Sequence, residues 1–345
     1  MAPPAIRLAV ITGGNSGIGL AIARRLLSLS SSNSSSSSSS SSDERQFRVV
    51  LACRNQAKGA AARHELLSAH PEALVDLVEL DTSSVASVER ASAALLRLCD
   101  CGGIDLLFCN AGAMAIDSLD IAGIVSGLLS HPIAFFESSE ALRQRRGLVT
   151  ADGMGETFQT NVFGHYLLIS RLAQAMREGG RVIWTGSSAS QLQFTPDDYQ
   201  HIRGDKPYES SKYIVDQIAI PLDQRLRPLG VRCLVAEPGN VCTNFLAGLD
   251  VPLFQYLVLG VFYFIRFALG LARFTINPDT AAVACCYAAL AEGDSVDSRI
   301  KYHSHATRRG TPYVAQYPLA HNKDVSAFLM GRLDDELRLV KQISE

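Results

Sequence analysis

The sequence predicts a doubly wound α/β fold in one domain, and three observations carry that reading. Short apolar runs of strand length recur between helix-like segments, at 6–12, 48–53, 74–80, 104–109, 181–186 and 231–236. The first run passes directly into a glycine-rich turn and then a helix, Thr12-Gly-Gly-Asn-Ser-Gly-Ile-Gly19. Far downstream, Tyr208-Glu-Ser-Ser-Lys212 places a phenol and an ammonium four residues apart, on one face if the segment is helical. No linker divides the 345 residues, so a single unit of about seven strands, residues 1–345, is expected.

Composition narrows the function. Lys and Arg total 32 against 34 Asp and Glu, a net charge of −2, which leaves no basic footprint for nucleic acid. The eight cysteines form neither a Cys-x-x-Cys pair nor an extracellular framework, and several sit in apolar runs, which suits buried thiols in a reducing compartment. Met-Ala-Pro-Pro-Ala leads almost at once into a strand, with no charged segment and cleavable apolar core of the signal-peptide kind.

Taken in order, the first element is the strand 6–12. In the turn that follows, Gly13 and Gly17 permit a tight bend and close backbone approach to a pyrophosphate, and Gly19 permits close packing. The N-terminus of the helix from Leu20 attracts the phosphates. The serine tract 30–42 cannot bury apolar surface and reads as a disordered loop insertion. The second strand ends at Cys53-Arg54. An NAD site usually has a carboxylate there for the ribose 2′-hydroxyl; Arg54 suits a 2′-phosphate instead, so NADP(H) is favoured over NAD. Asp81, after the third strand, can be the N-cap of the next helix. The fourth strand runs into Asn110-Ala-Gly112, and a helix over 157–176 carries Asn161. The fifth strand delivers Ser187, with Ser188 as an adjacent competitor. A lysine beside a tyrosine is expected to lower the phenol's pKa from its usual value of about 10, making Tyr208 a proton donor.

Together, in this order, the glycine turn, Asn110-Ala-Gly112, Asn161, Ser187 and Tyr208…Lys212 resemble the short-chain dehydrogenase/reductase family over roughly residues 5–245. The resemblance implies a Rossmann-like doubly wound parallel sheet and hydride transfer between NADPH and a carbonyl carbon. Tyr208 would be the proton donor, Lys212 would tune it and bind the nicotinamide ribose, Ser187 would hold the oxyanion, and Asn161 would hold a helix bend and a proton-relaying water. It implies that Thr12, Gly13, Ser16, Gly17, Ile18 and Gly19 face the cofactor with Arg54, Asp81, Asn110, Tyr208 and Lys212. For Asp81 it implies a second reading beside the N-cap, a partner for the adenine amino group. In Glu237-Pro-Gly-Asn-Val-Cys-Thr243, a backbone amide near Val241 would meet the nicotinamide carboxamide and Thr243 would reach the carboxamide or a phosphate. No metal is implied. The 21 positions from Ser187 to Tyr208 exceed the family's usual spacing, so an extra loop must bulge outward.

Two departures bear on substrate. Residues 113–150 expand a normally short connection, either as a surface excursion or as an apolar wall for a large substrate. Residues 251–271 are apolar with one charge, Arg266. They approach the length of a membrane span but fall between the sixth strand and a last helix expected from about Pro278. A segment dipping into one leaflet from the membrane surface is therefore expected, with a lid or dimer face as the other reading. His303 and His305, in the tail, read as surface residues rather than metal ligands. With the insertion 113–150, the Trp184-Thr-Gly-Ser-Ser188 sequence before the long loop to Pro207-Tyr208, and the apolar segment 251–271, the chain resembles the family's 3-keto-sterol reductases. That likeness implies NADPH-dependent reduction of a sterol intermediate during carbon-4 demethylation in ergosterol-type biosynthesis. It also implies a monotopic protein on the cytoplasmic face of the endoplasmic reticulum or lipid droplets, beside other sterol-biosynthesis enzymes. Two alternatives stand: a reductase of another lipophilic carbonyl such as retinal or a fatty aldehyde, and a membrane-tethered scaffold for sterol enzymes.

Overall fold

A computed structural model of the chain describes residues 6–32, 46–99, 102–120, 142–241 and 259–344, with positions 123, 126, 127 and 130 between them. One eight-stranded sheet organises these residues, in the order β10-β9-β8-β7-β4-β1-β2-β3. Its strands are β1 (Ile6–Thr12), β2 (Gln46–Cys53), β3 (Leu74–Glu79), β4 (Ile104–Cys109), β7 (Met176–Thr185), β8 (Arg232–Glu237), β9 (Ile300–Ala306) and β10 (Pro312–Pro318). All neighbours pair in parallel except β10, which runs antiparallel to β9 at the edge. A separate hairpin is formed by β5 (Ile116–Leu119) and β6 (Leu142–Gln144).

The strands read as near-continuous apolar runs because both faces are covered. Val10, Leu107, Val182 and Val235 point to one layer, packed by α3 (Val85–Leu98), α4 (Gly164–Leu172), α5 (Pro207–Leu226) and the C-terminal α7 (Lys323–Ser344). Ile11, Phe108, Ile183 and Leu234 point to the other, covered by α1 (Gly17–Ser32), α2 (Gln56–Ala69) and α6 (Val283–Leu290). The strand order reverses between β1 and β4, and the crevice at their carboxyl ends is where such sheets bind ligands.

Several expectations are corrected. The serine tract does not begin as a disordered loop: α1 continues to Ser32, and Ser30 Oγ accepts from Phe47 N at 3.1 Å, joining the helix end to β2. Residues 33–42 of the tract lie outside the described residues. The last helix is not the one from Pro278; β9, β10 and α7 follow it, so the segment read as a tail is the sheet's far side. His303 and His305 are accordingly buried on β9, each 5% exposed, not at the surface. Alternation in a strand with both faces covered buries polar positions too. In the Ser187–Tyr208 loop, Tyr199 pins the chain to the C-terminal helix by donating to Glu336 Oε1 at 2.5 Å.

Of residues 251–271, 259–264 are helical and pass into a π-turn, Ile265–Leu269, closed by left-handed Gly270. Phe262 and Ile265 turn inward against Phe274, while Tyr263, Phe264, Phe267 and Leu269 stay exposed. Among the described residues no helix is long and apolar enough to cross a membrane. Residues 251–258, and most of 121–141 in the expanded connection, lie outside the described residues.

Candidate active site

The glycine turn is fixed from below. Thr12 is fully buried, and its Oγ1 accepts from the backbone N–H groups of Asn110 and Ala111, both at 2.9 Å. Asn110 returns a bond from Nδ2 to Thr12 O at 2.9 Å. Thr12 and Asn110 thus lock two loops together, and Thr12's hydroxyl is committed to that task. Gly13 and Gly17 adopt left-handed backbone, at φ +66° and +54°, where a side chain would be strained. At Gly19 a Cβ would stand 2.4 Å from Gly13 O. Only glycine lets the turn fold this tightly, leaving Ser16 exposed beside the first turn of α1, whose leading N–H groups have no partner within the helix. An anion with several oxygens fits that cradle.

Arg54 extends from the end of β2 into solvent with its guanidinium 3.7 Å from Asp81. Asp81 is not the N-cap of α3. Its Oδ1 accepts from Ser83 N and Ser83 Oγ in the preceding turn, while Ser84 caps the helix through Ser87 N at 3.3 Å. The cap belongs to Ser84 because it has the extended backbone that a cap requires.

On the other side of the crevice the polar groups are enclosed. Asn161 lies in a π-turn, Gln159–Phe163, that bends the approach to α4. Its amide bonds both backbone groups of Ala113, at 2.8 and 3.0 Å, and donates to Ser211 Oγ at 3.0 Å, which in turn donates to Tyr208 O. Asn161 therefore couples the loop after β4 to α5. Gly112 makes room there: a Cβ would lie 3.3 Å from Asn161 Oδ1 and 3.9 Å from Lys212 Nζ. Lys212 is buried and donates to Thr185 O at 2.7 Å. Burial, with Lys301 as a second cause, pulls its ammonium down to about 8.

Ser187 follows β7 and its hydroxyl bonds the phenol of Tyr208, which distinguishes it from Ser188. The Ser187 oxygen also accepts from Ala189 N at 3.1 Å. Contrary to the sequence expectation, the phenol is not held low. Tyr208 is a half-buried residue whose hydroxyl is its enclosed end, and burial pushes it up to about 12; Ser187 opposes that, whereas Glu209 and Glu237 add to it. Lys212 Nζ lies 5.6 Å from the centre of the ring and is spent on Thr185 O rather than on the phenol oxygen. Val241 sits in an isolated bridge with Ile276 at the rim, and Thr243 lies outside the described residues.

The structure adds groups that sequence reasoning passed over. Gln144, from the hairpin in the expanded connection, accepts from Tyr208 N at 2.9 Å and donates to Glu209 at 2.6 Å, capping the helix that carries the phenol. At this point the connection braces the catalytic helix. Asp216 and Lys301 lie beneath Ser187; only the four-residue step from Lys212 to Asp216 could have signalled either.

A phenol, a hydroxyl and a buried ammonium converging beside a glycine turn suit proton donation to a carbonyl oxygen next to a bound dinucleotide. The family model described as short chain dehydrogenase matches residues 7–125 and 134–250. The chain belongs to the short-chain dehydrogenase family. It is an oxidoreductase acting on CH–OH/C=O groups. Within that family it is 33% identical over 342 residues, 98% of this chain and 94% of the relative, to the human 3-keto-steroid reductase/17-beta-hydroxysteroid dehydrogenase 7. It is 30% identical over 328 residues, 91% of this chain and 90% of the relative, to a 3-keto-steroid reductase of Schizosaccharomyces pombe. Among solved structures, levodione reductase aligns with a TM-score of 0.56 at 18% identity, covering 85% of this chain and 93% of that one. A short-chain dehydrogenase from Burkholderia cenocepacia in complex with NADP aligns at 0.55 and 20%, covering 86% and 94%. These two establish likeness of fold.

Proposed function

We propose that this short-chain dehydrogenase reduces the 3-keto group of a sterol intermediate to the 3-hydroxyl during carbon-4 demethylation, with NADPH as reductant. The observation that carries the proposal is the match along nearly the whole chain to relatives named for 3-keto-steroid reduction. NADPH, when bound, supplies the hydride. Thr12, Gly13, Ser16, Gly17, Ile18, Gly19 and Asn110 would hold it along the glycine turn, with Asp81, Val241 and Thr243 around it. Arg54 supports the phosphorylated cofactor, because a free guanidinium face at the end of β2 can grip a 2′-phosphate.

The residues of the chain then have separate tasks. Ser187 donates a hydrogen bond to the carbonyl oxygen, where negative charge develops. Tyr208 gives that oxygen its proton; a phenol pushed up to about 12 stays protonated until the charge appears. Lys212 provides a cation beneath the phenol and a donor for a ribose, and Asn161 keeps the loop after β4 in register with the catalytic helix. The exposed Tyr263, Phe264, Phe267 and Leu269 suit a membrane surface, where a sterol would be dissolved. On this reading the protein sits on the cytoplasmic face of the endoplasmic reticulum or lipid droplets, among other sterol enzymes.

The test is NADPH oxidation by the detergent-solubilised protein with a 3-keto sterol, compared with retinal and a fatty aldehyde. Turnover of the sterol alone supports the substrate. Turnover only of an aldehyde leaves the chemistry standing and removes the sterol.

A further inference from the structure

A second lysine is buried below the catalytic helix. Lys301, on β9, is 7% exposed, and its Nζ donates to the backbone oxygen of Ser187 and to Asp216 Oδ2, both at 2.8 Å. Glu237 Oε2 lies 3.7 Å away and also faces His303 Nδ1 at 3.3 Å. Asp216 stands one turn beyond Lys212 on α5, and the same Oδ2 accepts from Ser190 Oγ at 2.6 Å. The ammonium therefore ties the Ser187 end of the turn to Asp216, and Asp216 itself holds the Ser190 end, on the helix that carries Tyr208. The path is also reserved by a glycine: at Gly186 a Cβ would lie 3.0 Å from Lys301 Cε and 2.8 Å from Val235 Cγ1.

We propose that Lys301 is a positioning residue, which holds the Ser187 carbonyl and Asp216 together and so keeps the Ser187 hydroxyl against the Tyr208 phenol. It touches neither substrate nor cofactor, and its influence passes through Ser187. The charge arrangement agrees: Lys212 and Lys301 face Asp216 and Glu237, two ammonium groups against two carboxylates, and Lys301 is a cause of the depressed Lys212. Removing one member leaves a buried charge unbalanced, so the geometry depends on the set.

The proposal rests on carbonyl reduction, not on the identity of the sterol. A double-mutant cycle of Lys301→Met with Ser187→Ala tests it, using whichever of the 3-keto sterol or retinal the wild type reduces. Failure of the sterol reading then shows in the wild type, and failure of this proposal shows only in the cycle. Lys301→Met is expected to lower kcat ~10- to 100-fold with the NADPH KM unchanged. In the Ser187→Ala background the same change should cost less than about twofold, because its route of action is already gone. Equal losses in both backgrounds, or no loss in the single variant, would overturn it. Should Lys301→Met not fold, Lys301→Met with Asp216→Leu removes both charges and enters the same cycle. A crystal structure of the folded variant gives a readout without turnover: the Ser187 hydroxyl is expected to leave Tyr208, and an unchanged contact contradicts the proposal.

Discussion

On the β1–β3 side of the crevice the site is built from backbone turns and an exposed guanidinium, whereas on the β7–β9 side it is built from buried polar side chains. The Arg54 side chain is 76% exposed; Lys212, Lys301, Asp216 and Glu237 are between 1% and 7%. An exposed charge pair contributes little until a ligand displaces the surrounding water, so the Arg54–Asp81 contact at 3.7 Å can open for a phosphate at low cost. A buried pair is different, because each charge depends on its partner. The first side is suited to selecting a cofactor and the second to holding reacting groups still. Substitutions on one side should therefore move binding, and on the other turnover.

The largest separation is expected from Ser187→Ala. Loss of one donor to a developing oxyanion should lower kcat ~10²- to 10³-fold and leave NADPH affinity, read by fluorescence titration, unchanged. A parallel fall in affinity would merge the two sides. Arg54→Ala is the mirror experiment. Losing a charge-assisted hydrogen bond of about 1.5–3 kcal/mol should weaken NADPH ~10- to 100-fold, leave NADH nearly unaffected and leave kcat at saturation alone. Equal weakening of both cofactors would remove Arg54 from the 2′-phosphate. Gln144→Ala should cost less: it frees Tyr208 N and leaves the buried Glu209 short of a donor, for about 1–3 kcal/mol of stability in a thermal melt. An unaltered melting temperature would detach the hairpin from the catalytic helix.

The smallest effect concerns pH. Lys212 is held near 8 in the fold, below its ordinary 10.5, because burial penalises its charge. Between those values the unfolded chain binds a proton that the folded chain has released, so this lysine's contribution to stability rises with pH; below about 8 its charged form is a constant cost. Subtracting the stability curve of Lys212→Met from that of the wild type should show the rise, and a flat difference would contradict it.

The same contrast governs how much was legible in the sequence. The cofactor side is made by glycines whose spacing follows from backbone geometry, so Gly13, Gly17 and Gly19 could be assigned their tasks directly. Tyr208, Lys212 and Asn161 were legible as a pattern, and the extra length of the loop before Tyr208 followed from counting. Asp81 stayed open between a cap and an adenine partner because two residue types share the cap signature, and only the backbone at Ser84 assigns the cap. Lys301 was out of reach: it meets Ser187 across 114 positions, from a strand whose polar alternation looked like a solvated tail. The rise in Tyr208 was hidden for a related reason, since the spacing placed Lys212 near the ring but could not show its ammonium spent on Thr185 O. Sequence proximity reports which face a group occupies; burial and competing partners come from the fold.

The most direct test of the account is the paired measurement of NADPH binding and 3-keto-sterol reduction in Tyr208→Phe. The account predicts reduction lowered by at least ~10²-fold with NADPH affinity within a few-fold of the wild type. Reduction at the wild-type rate would contradict it, and would leave the buried cluster as structure without chemistry.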